Sequence, residues 1–513
     1  MKNALAMAFG TMASRLLGQL RESLLAAYFD KHITDAWAAA FRLPNLFRRL
    51  LGEGSLSVSF IPVFVETRMD SPGRAQNLVN SVYTFLLIIL GGLTTFGILH
   101  PEPLLNLVLD SAYIANTEKY LLTLRLTKLM FGFIFFVSSY AFMMGILNAL
   151  GQFALPAIAP TLWNLAMIIS TLLPRTWFPV DGDQLGWGVL IGGILQAALL
   201  IPALVRAGYF PKLSIDFRNK DFQKVLKNMV PGLFGMGLLQ FTTIVNLRFS
   251  SSLAEGTISY VNYVDRLIEL PLSLISVSLG TALLPVLAGY FSRDEKHKMS
   301  EVAQKFLELN LLLSMAAAAG LYALAQPIVQ LLFGRGQFKL ADVIMTAEIL
   351  KTYCWIMIFS SAVRVLTPAY YAIKNTWFPA LVSALCLTVH IVIAPLFMKS
   401  LQVRGLMIST TISAALNLLL LLTFFPRFIT GFYYAGFLKN AVTFAFLAFV
   451  TGLMAHIFYL IQPVLSFGTL GLILSLVISM GLAGVTFVIV GRLLKVQAID
   501  EVVERLRRKM LRS

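Results

Sequence analysis

The sequence predicts an all-α polytopic membrane protein of about fourteen spanning helices. These form two pseudo-symmetric six-helix lobes followed by two C-terminal helices, with the N- and C-termini cytoplasmic. Three observations predict this class. Of the 513 residues, 58% are hydrophobic and only 13% charged, with a mean hydropathy of +0.79, which needs lipid as its solvent. Apolar runs recur from Ala4 to Leu494 at about the 20-residue length that crosses a bilayer. The runs are continuous and do not alternate with period two, which excludes barrel strands.

The first span covers 4–29 and a second, longer one 34–66. Spans three to six follow at 76–98, 121–149, 154–173 and 184–206, up to a basic loop near 207–224. Spans seven to twelve lie at 225–251, 256–290, 303–333, 343–372, 376–397 and 404–426. After a second basic loop near 427–438 come spans thirteen and fourteen, at 437–459 and 465–494. The chain therefore divides into an N-lobe over 1–210, a C-lobe over 211–430, a two-helix addition over 431–497 and a basic tail over 498–513. In the tail Ile499, Val502, Val503, Leu506 and Met510 share one helical face away from Arg505, Arg507, Arg508 and Lys509. That pattern predicts an amphipathic segment along the inner leaflet.

A repeat is partly visible. Ser55 to Val63 in span two resembles Ser278 to Val286 in span eight, each reaching an Ile/Leu-Pro-Val, and Leu20-Arg21-Glu22-Ser23 has a shorter echo in Leu247-Arg248-Phe249-Ser250. This equates spans one to six with seven to twelve, in the same orientation because six is even, and places a substrate path at the lobe interface. Helical membrane proteins reuse Ser, Leu and Pro, so chance is the alternative.

The net charge of +16 has a membrane cause. With a cytoplasmic N-terminus, roughly 23 basic residues fall inside and roughly 7 outside. The inside set concentrates in Arg206 to Lys227, Arg293 to Lys305 and Arg492 to Arg512, while an outer loop carries Glu102, Asp110 and Glu118. The basic excess is topogenic, and a nucleic-acid partner is not expected. The first span is too long and too polar for a cleaved signal peptide. Cys354 and Cys386 have no paired spacing and the five histidines are scattered, so no disulfide framework or metal site is predicted. No glycine-rich phosphate loop ending in Lys-Ser or Lys-Thr occurs. Neither enzymatic chemistry nor a cofactor is expected, which makes a transporter the stronger class.

Charges inside the spans mark the functional region. About eleven Lys and Arg residues lie there, each costing several kcal/mol unless it faces protein or water. Span one carries Arg15, Arg21 and Glu22; span two carries Asp35, Arg42, Arg48, Arg49 and Glu53; span eight carries Asp265, Arg266 and Glu269. Helical spacing groups Ser14, Gly18 and Arg21 on one stripe, Ser259, Asn262, Arg266 and Glu269 on another, and Arg48 with Ser55 and Ser59. Under the assigned topology Glu22, Asp35, Asp265 and Glu269 fall in the outer half beside Arg21 and Arg266. Arg15, Arg48 and Arg49 lie nearer the midplane, with Glu53 their one acidic neighbour. A central site short of carboxylates suits an anion, and arginine's fork of donors suits phosphate or carboxylate better than a cationic drug. The alternative is that these arginines only neutralise the acids or reach up to headgroups.

The same residues resemble a family. Ser14-Arg15-Leu16-Leu17-Gly18, Arg21-Glu22, Thr34-Asp35-Ala36, Phe41 to Arg49, Glu53-Gly54 and Phe60-Ile61-Pro62 are similar to the MurJ/MviN lipid II flippases of the multidrug, oligosaccharidyl-lipid and polysaccharide exporter superfamily. Tyr263 to Pro271 and Leu279-Gly280-Thr281 leading to Leu284-Pro285 extend the likeness into span eight. Glu22 stands where some relatives have Asp, and one residue fewer separates Arg21 from Asp35. The resemblance implies a monomeric carrier in the bacterial inner membrane that moves undecaprenyl-pyrophosphate-linked peptidoglycan precursor from the inner to the outer leaflet. It implies lipid II and membrane lipids as partners, with other peptidoglycan-synthesis proteins as candidates. It further implies that Arg15, Arg21, Arg48 and Arg266 face the cavity and that spans thirteen and fourteen form a groove for the prenyl tail.

The expected mechanism is alternating access. Arg15, Arg48 and Arg49 take the pyrophosphate, helped by Arg21, Arg266, Ser14 and Ser259. Glu22, Asp35, Asp265 and Glu269 latch the outer side through Arg21 and Arg266. Membrane potential or a monovalent cation drives turnover. The alternatives are an exporter of another lipid-linked oligosaccharide, a drug antiporter of the same superfamily, and a non-transporting cell-wall scaffold.

Overall fold

The structure, a computed structural model, describes residues 2–50, 56–461, 468–501 and 504, excepting the side chains of 2–9, 56–58, 230–239, 277–278 and 281. Among the described residues it is helical throughout, with no strand. Continuous helices run over Lys2–Tyr28, Pro72–Leu99, Ala154–Leu172 and Lys220–Ser251, and over Trp377–Leu401, Val403–Phe428, Tyr434–Ile461 and Gly468–Leu493. The remaining apolar runs are helices broken within their length.

Nine helical stretches among the described residues are long and apolar enough to cross a membrane, and a tenth forms if Leu340–Tyr353 and Ile356–Ala372, bent by 45°, count as one. Lys2–Tyr28, Lys31–Phe47, Lys220–Ser251 and Thr257–Leu272 are not in that set. These carry most of the intramembrane charge picked out above.

Two of the polar helices pass into π-helix shortly after a proline. Pro44 lies inside Lys31–Phe47, and residues 48–50 wind as π-helix. Pro271 lies inside Thr257–Leu272, and Ser273–Val277 is again π-helix.

Two compact units result. The first comprises Met1–Ser259 with Arg335–Phe338, the second Tyr260–Gly334 with Lys339–Ser513. The first unit includes Lys220–Ser251. A bidentate ion pair, Arg74 Nε and Nη2 to Asp221 at 2.7 and 2.8 Å, ties that helix to Pro72–Leu99. Its core is aromatic-rich, with Phe29, Trp37, Phe41, Phe60, Phe64, Phe131 and Phe142 buried together.

In the second unit Tyr370 is fully buried, stacks on Phe378 at 5.5 Å and donates to the Leu421 carbonyl at 2.5 Å. Gly468–Leu493 packs through Gly471, Ser475, Ser479 and Ala483, a small-residue stripe at four-residue spacing. Tyr434–Ile461 lies against it. Outward from the same helices point Val442, Phe449 and Val477, all largely exposed. Small residues inside and large apolar residues outside are the arrangement lipid favours.

Candidate functional site

The first unit gathers its polar residues in two places. One is the start of Thr257–Leu272. Gly256, with φ of 91°, turns the chain into this helix. Its first turn leaves N–H groups without intrahelical partners. Asp35, one turn into Lys31–Phe47, supplies what they lack. Its Oδ2 accepts from the Gly256 amide at 2.7 Å, and its Oδ1 accepts from the Ser259 amide at 2.8 Å and the Ser259 hydroxyl at 2.7 Å. A carboxylate at a helix N-terminus also meets the positive end of the helix dipole.

Asp35 is 1% exposed and needs a counter-charge. Sequence reasoning grouped it with Arg21 and Arg266, but the structure gives it Lys119, whose Nζ donates to Oδ2 at 2.7 Å. Lys119 opens Thr117–Phe131, and its ammonium also sits 5.1 Å from the Tyr113 ring centroid. Burial pushes the Tyr113 phenol well above its usual range, so it stays a neutral neighbour. Nothing in the sequence pairs 35 with 119: Lys119 stands beside Glu118 between spans three and four and reads as an ordinary solvated charge.

The second place is the face of Lys2–Tyr28 that meets Ala154–Leu172. Arg21 and Glu22 are both buried and form an ion pair. Arg21 Nη1 also donates to Asn164 Oδ1 at 3.1 Å, and its guanidinium carbon lies 4.4 Å from the Trp163 ring centroid. The Asn164 amide donates in turn to the Ser14 carbonyl at 3.0 Å and hydroxyl at 3.3 Å. Behind it Trp37 stacks on Phe41 at 5.3 Å, and Phe41 on Trp163 at 5.7 Å. The stripe of Ser14, Gly18 and Arg21 is therefore a helix-packing face organised by Asn164, a residue the charge-centred reading passed over.

Arg15 and Arg49 are half-buried, and neither forms a hydrogen bond or ion pair with another described residue. Arg48, also half-buried, donates from Nε to Asn45 Oδ1 at 3.0 Å. Glu53, expected beside these arginines, lies outside the described residues. In the second unit Arg266 lies 3.6 Å from Glu269, one turn along Thr257–Leu272, with Asp265 half-buried beside it. Tyr260 donates to Asp342 Oδ1 at 2.5 Å, which holds the same helix to Leu340–Tyr353.

Two further intramembrane cations are paired. Arg125 forms a bidentate pair with the buried Asp183 at 2.6 and 2.7 Å, and Lys351 lies 2.9 Å from Glu348. No group of three or more metal-ligating side chains occurs among the described residues.

The chain is similar to known proteins in both sequence and fold. The family model described as "Lipid II flippase MurJ" matches residues 25–479. The "Probable lipid II flippase MurJ" of Bdellovibrio bacteriovorus is 51% identical over 446 residues, covering 86% of this chain and 85% of that one. The "Lipid II flippase MurJ" of Burkholderia cenocepacia is 32% identical over 417 residues, covering 80% and 81%. A solved lipid II flippase MurJ in an inward closed conformation superposes with a TM-score of 0.80 at 24% identity, over 96% of this chain and 99% of that one. An inward-facing multidrug transporter of the MATE family shares the fold at a TM-score of 0.68 and 14% identity, over 83% and 95%.

Proposed function

The chain belongs to the lipid II flippase MurJ family, and from that premise we propose that it carries lipid II from the inner to the outer leaflet of the bacterial cytoplasmic membrane by alternating access. It is a transporter, and the reaction needs no covalent step. The proposed topology has fourteen spans and cytoplasmic termini, with lobes of spans one to six and seven to twelve in chain order. Spans thirteen and fourteen carry the prenyl tail along their apolar outer faces.

One observation carries the site assignment: Arg15 and Arg49 are half-buried cations without an acidic partner among the described residues. A guanidinium kept from bulk water favours a phosphate over solvent, and a pyrophosphate offers several oxygens to its fork. Arg15, Arg48 and Arg49 bind the pyrophosphate. The Asp35–Lys119 pair, with the Asp35 cap on Thr257–Leu272, closes the outer end while the substrate loads. An inside-negative potential favours outward movement of an anion by about 2.3 kcal/mol per charge per 100 mV. A potential or a monovalent cation is therefore enough to bias the cycle.

The test is a leaflet-resolved assay of labelled lipid II after acute depletion of the host's own flippase. Wild-type protein restores outward movement. If Arg15→Gln and Arg49→Gln, inserted at wild-type levels, restore it equally well, the pyrophosphate assignment is wrong.

A further inference from the structure

The segment between spans six and seven has a structure that its basic composition alone does not explain. Ile201–Arg206 ends in a left-handed glycine, Gly208 at φ of 77°, with the Gly208 amide bonded to the Val205 carbonyl and the Tyr209 amide to the Leu204 carbonyl. Pro211 then holds its own φ and drives Phe210 to an extended conformation. From 209 to 216 the chain carries no helix.

This extended piece lies along Pro72–Leu99 on a polar ladder of Gln76, Asn80 and Thr84, three residues at four-residue spacing. Gln76 donates to the Phe210 carbonyl at 2.9 Å, the Lys212 amide to Asn80 Oδ1 at 2.8 Å, and the Ser214 amide to Thr84 Oγ1 at 2.9 Å. Because alternate residues of an extended chain face opposite ways, anchoring 212 and 214 turns 213 and 215 outward. Leu213 is 78% exposed and Ile215 83%. Their amides make no hydrogen bond to another described residue. Along residues 206–220, Arg206, Lys212, Arg218 and Lys220 are exposed, against one exposed acid, Asp216. Asp221 is committed to Arg74.

We infer that residues 209–220 form an anionic-phospholipid docking strip. Leu213 and Ile215 enter the acyl boundary while the free amides and the surrounding Lys and Arg side chains take lipid phosphate oxygens. Three features select this occupant. Two large apolar side chains held outward on a pinned backbone suit the acyl boundary. Unpaired backbone amides beside them require an acceptor at that depth, which hydrocarbon lacks and a headgroup provides. The four cations match an acidic leaflet surface. The strip lies on one unit and its chemistry stands independently of the transport reading.

The test uses the full chain in bilayer discs of equal parts phosphatidylcholine and phosphatidylglycerol, with spin labels at Leu213→Cys and Ile215→Cys. The expected result is strong relaxation by oxygen and weak relaxation by an aqueous nickel chelate at both sites. In unlabelled protein, spin-labelled phosphatidylglycerol is retained over phosphatidylcholine, and Lys212→Gln or Arg218→Gln each lowers that preference, by up to about fivefold per charge. Labels as open to nickel as a free loop overturn the inference. So does protection from both reagents, which marks a covering protein, and so does a lipid preference unmoved by the substitutions.

Discussion

Lys119 Nζ and Asp35 Oδ2 lie 2.7 Å apart, and the same oxygen accepts the Gly256 amide at the head of Thr257–Leu272. One carboxylate is thus both half of a buried ion pair and the cap of a helix, and the two roles separate experimentally. Breaking a buried pair from either side costs roughly 3–5 kcal/mol. Asp35→Asn and Lys119→Met are each expected to loosen the start of Thr257–Leu272. Thiol labelling of Ile258→Cys, a position now buried, should rise about tenfold in either background, and the double variant should label no faster than the quicker single one, because the two residues act on one interaction. The exchange Asp35→Lys with Lys119→Asp keeps a pair but sets an ammonium against helix N–H donors. It should leave labelling high, whereas a role confined to ion pairing predicts recovery.

Arg15 and Arg49 give the opposite profile. Neither has a partner to lose among the described residues, so Arg15→Gln and Arg49→Gln should leave the melting temperature of the purified protein within about 2–4 °C of wild type. Under the proposed assignment each removes charge-assisted bonds to a phosphate, worth roughly 1.5–3 kcal/mol, so lipid II flipping should fall by roughly 10- to 100-fold. Arg21→Gln is the control. It breaks a buried pair and a hydrogen bond to Asn164, and should lower melting temperature and flipping together.

How much of this was legible in the sequence depends on range along the chain. Helices and their approximate limits follow from runs of apolar residues, a local property. The placement of charge on the first, second and eighth spans is equally local, since residues three or four apart share a face wherever the helix goes. Partnership is not local. Asp35 and Lys119 are separated by 84 residues and Asn164 and Ser14 by 150, and the sequence holds nothing to align them. Assigning Asp35 to the nearest arginines therefore failed, while Arg266 and Glu269, one turn apart, could be paired from spacing alone. Asn164 escaped notice because an uncharged amide in an apolar helix signals nothing until its neighbours are known. The extended run at 209–216 was read only as basic composition, because its shape depends on acceptors presented by another helix.

Asn164 joins Arg21 to Ser14 across two helices, so replacing it with a side chain of similar size but no polar atoms isolates that bridge. Asn164→Leu removes the acceptor of the Arg21 Nη1 bond and the donor of the contacts to Ser14 at a buried position. A buried donor left without its acceptor costs about 1–3 kcal/mol. The purified variant should melt several degrees below wild type, and a double-mutant cycle with Ser14→Ala should show coupling, since the Ser14 hydroxyl is one of the two acceptors lost. Additive effects would mean that the bridge transmits nothing between the helices.

Gly336 provides a test of the short insertion, residues 335–338, that packs with the first unit. Its φ is 61°, in the left-handed region, and a Cβ built there would stand 2.1 Å from the Ala27 carbonyl oxygen. That same carbonyl accepts the Gln337 amide at 2.9 Å, so the backbone cannot back away without giving up the bond. Flexible side chains yield to a new methyl, but here the obstacle is main chain at the end of Lys2–Tyr28. Left-handed strain and overpacking together cost roughly 2–4 kcal/mol. Gly336→Ala should therefore lower the melting temperature and raise hydrogen exchange at the Gln337 amide. Gly208→Ala, also at positive φ but with open space around its Cβ, carries only the conformational strain of roughly 1 kcal/mol. The difference between the two variants measures the contact itself, and equal losses would show that Gly336 is required for its backbone angle alone.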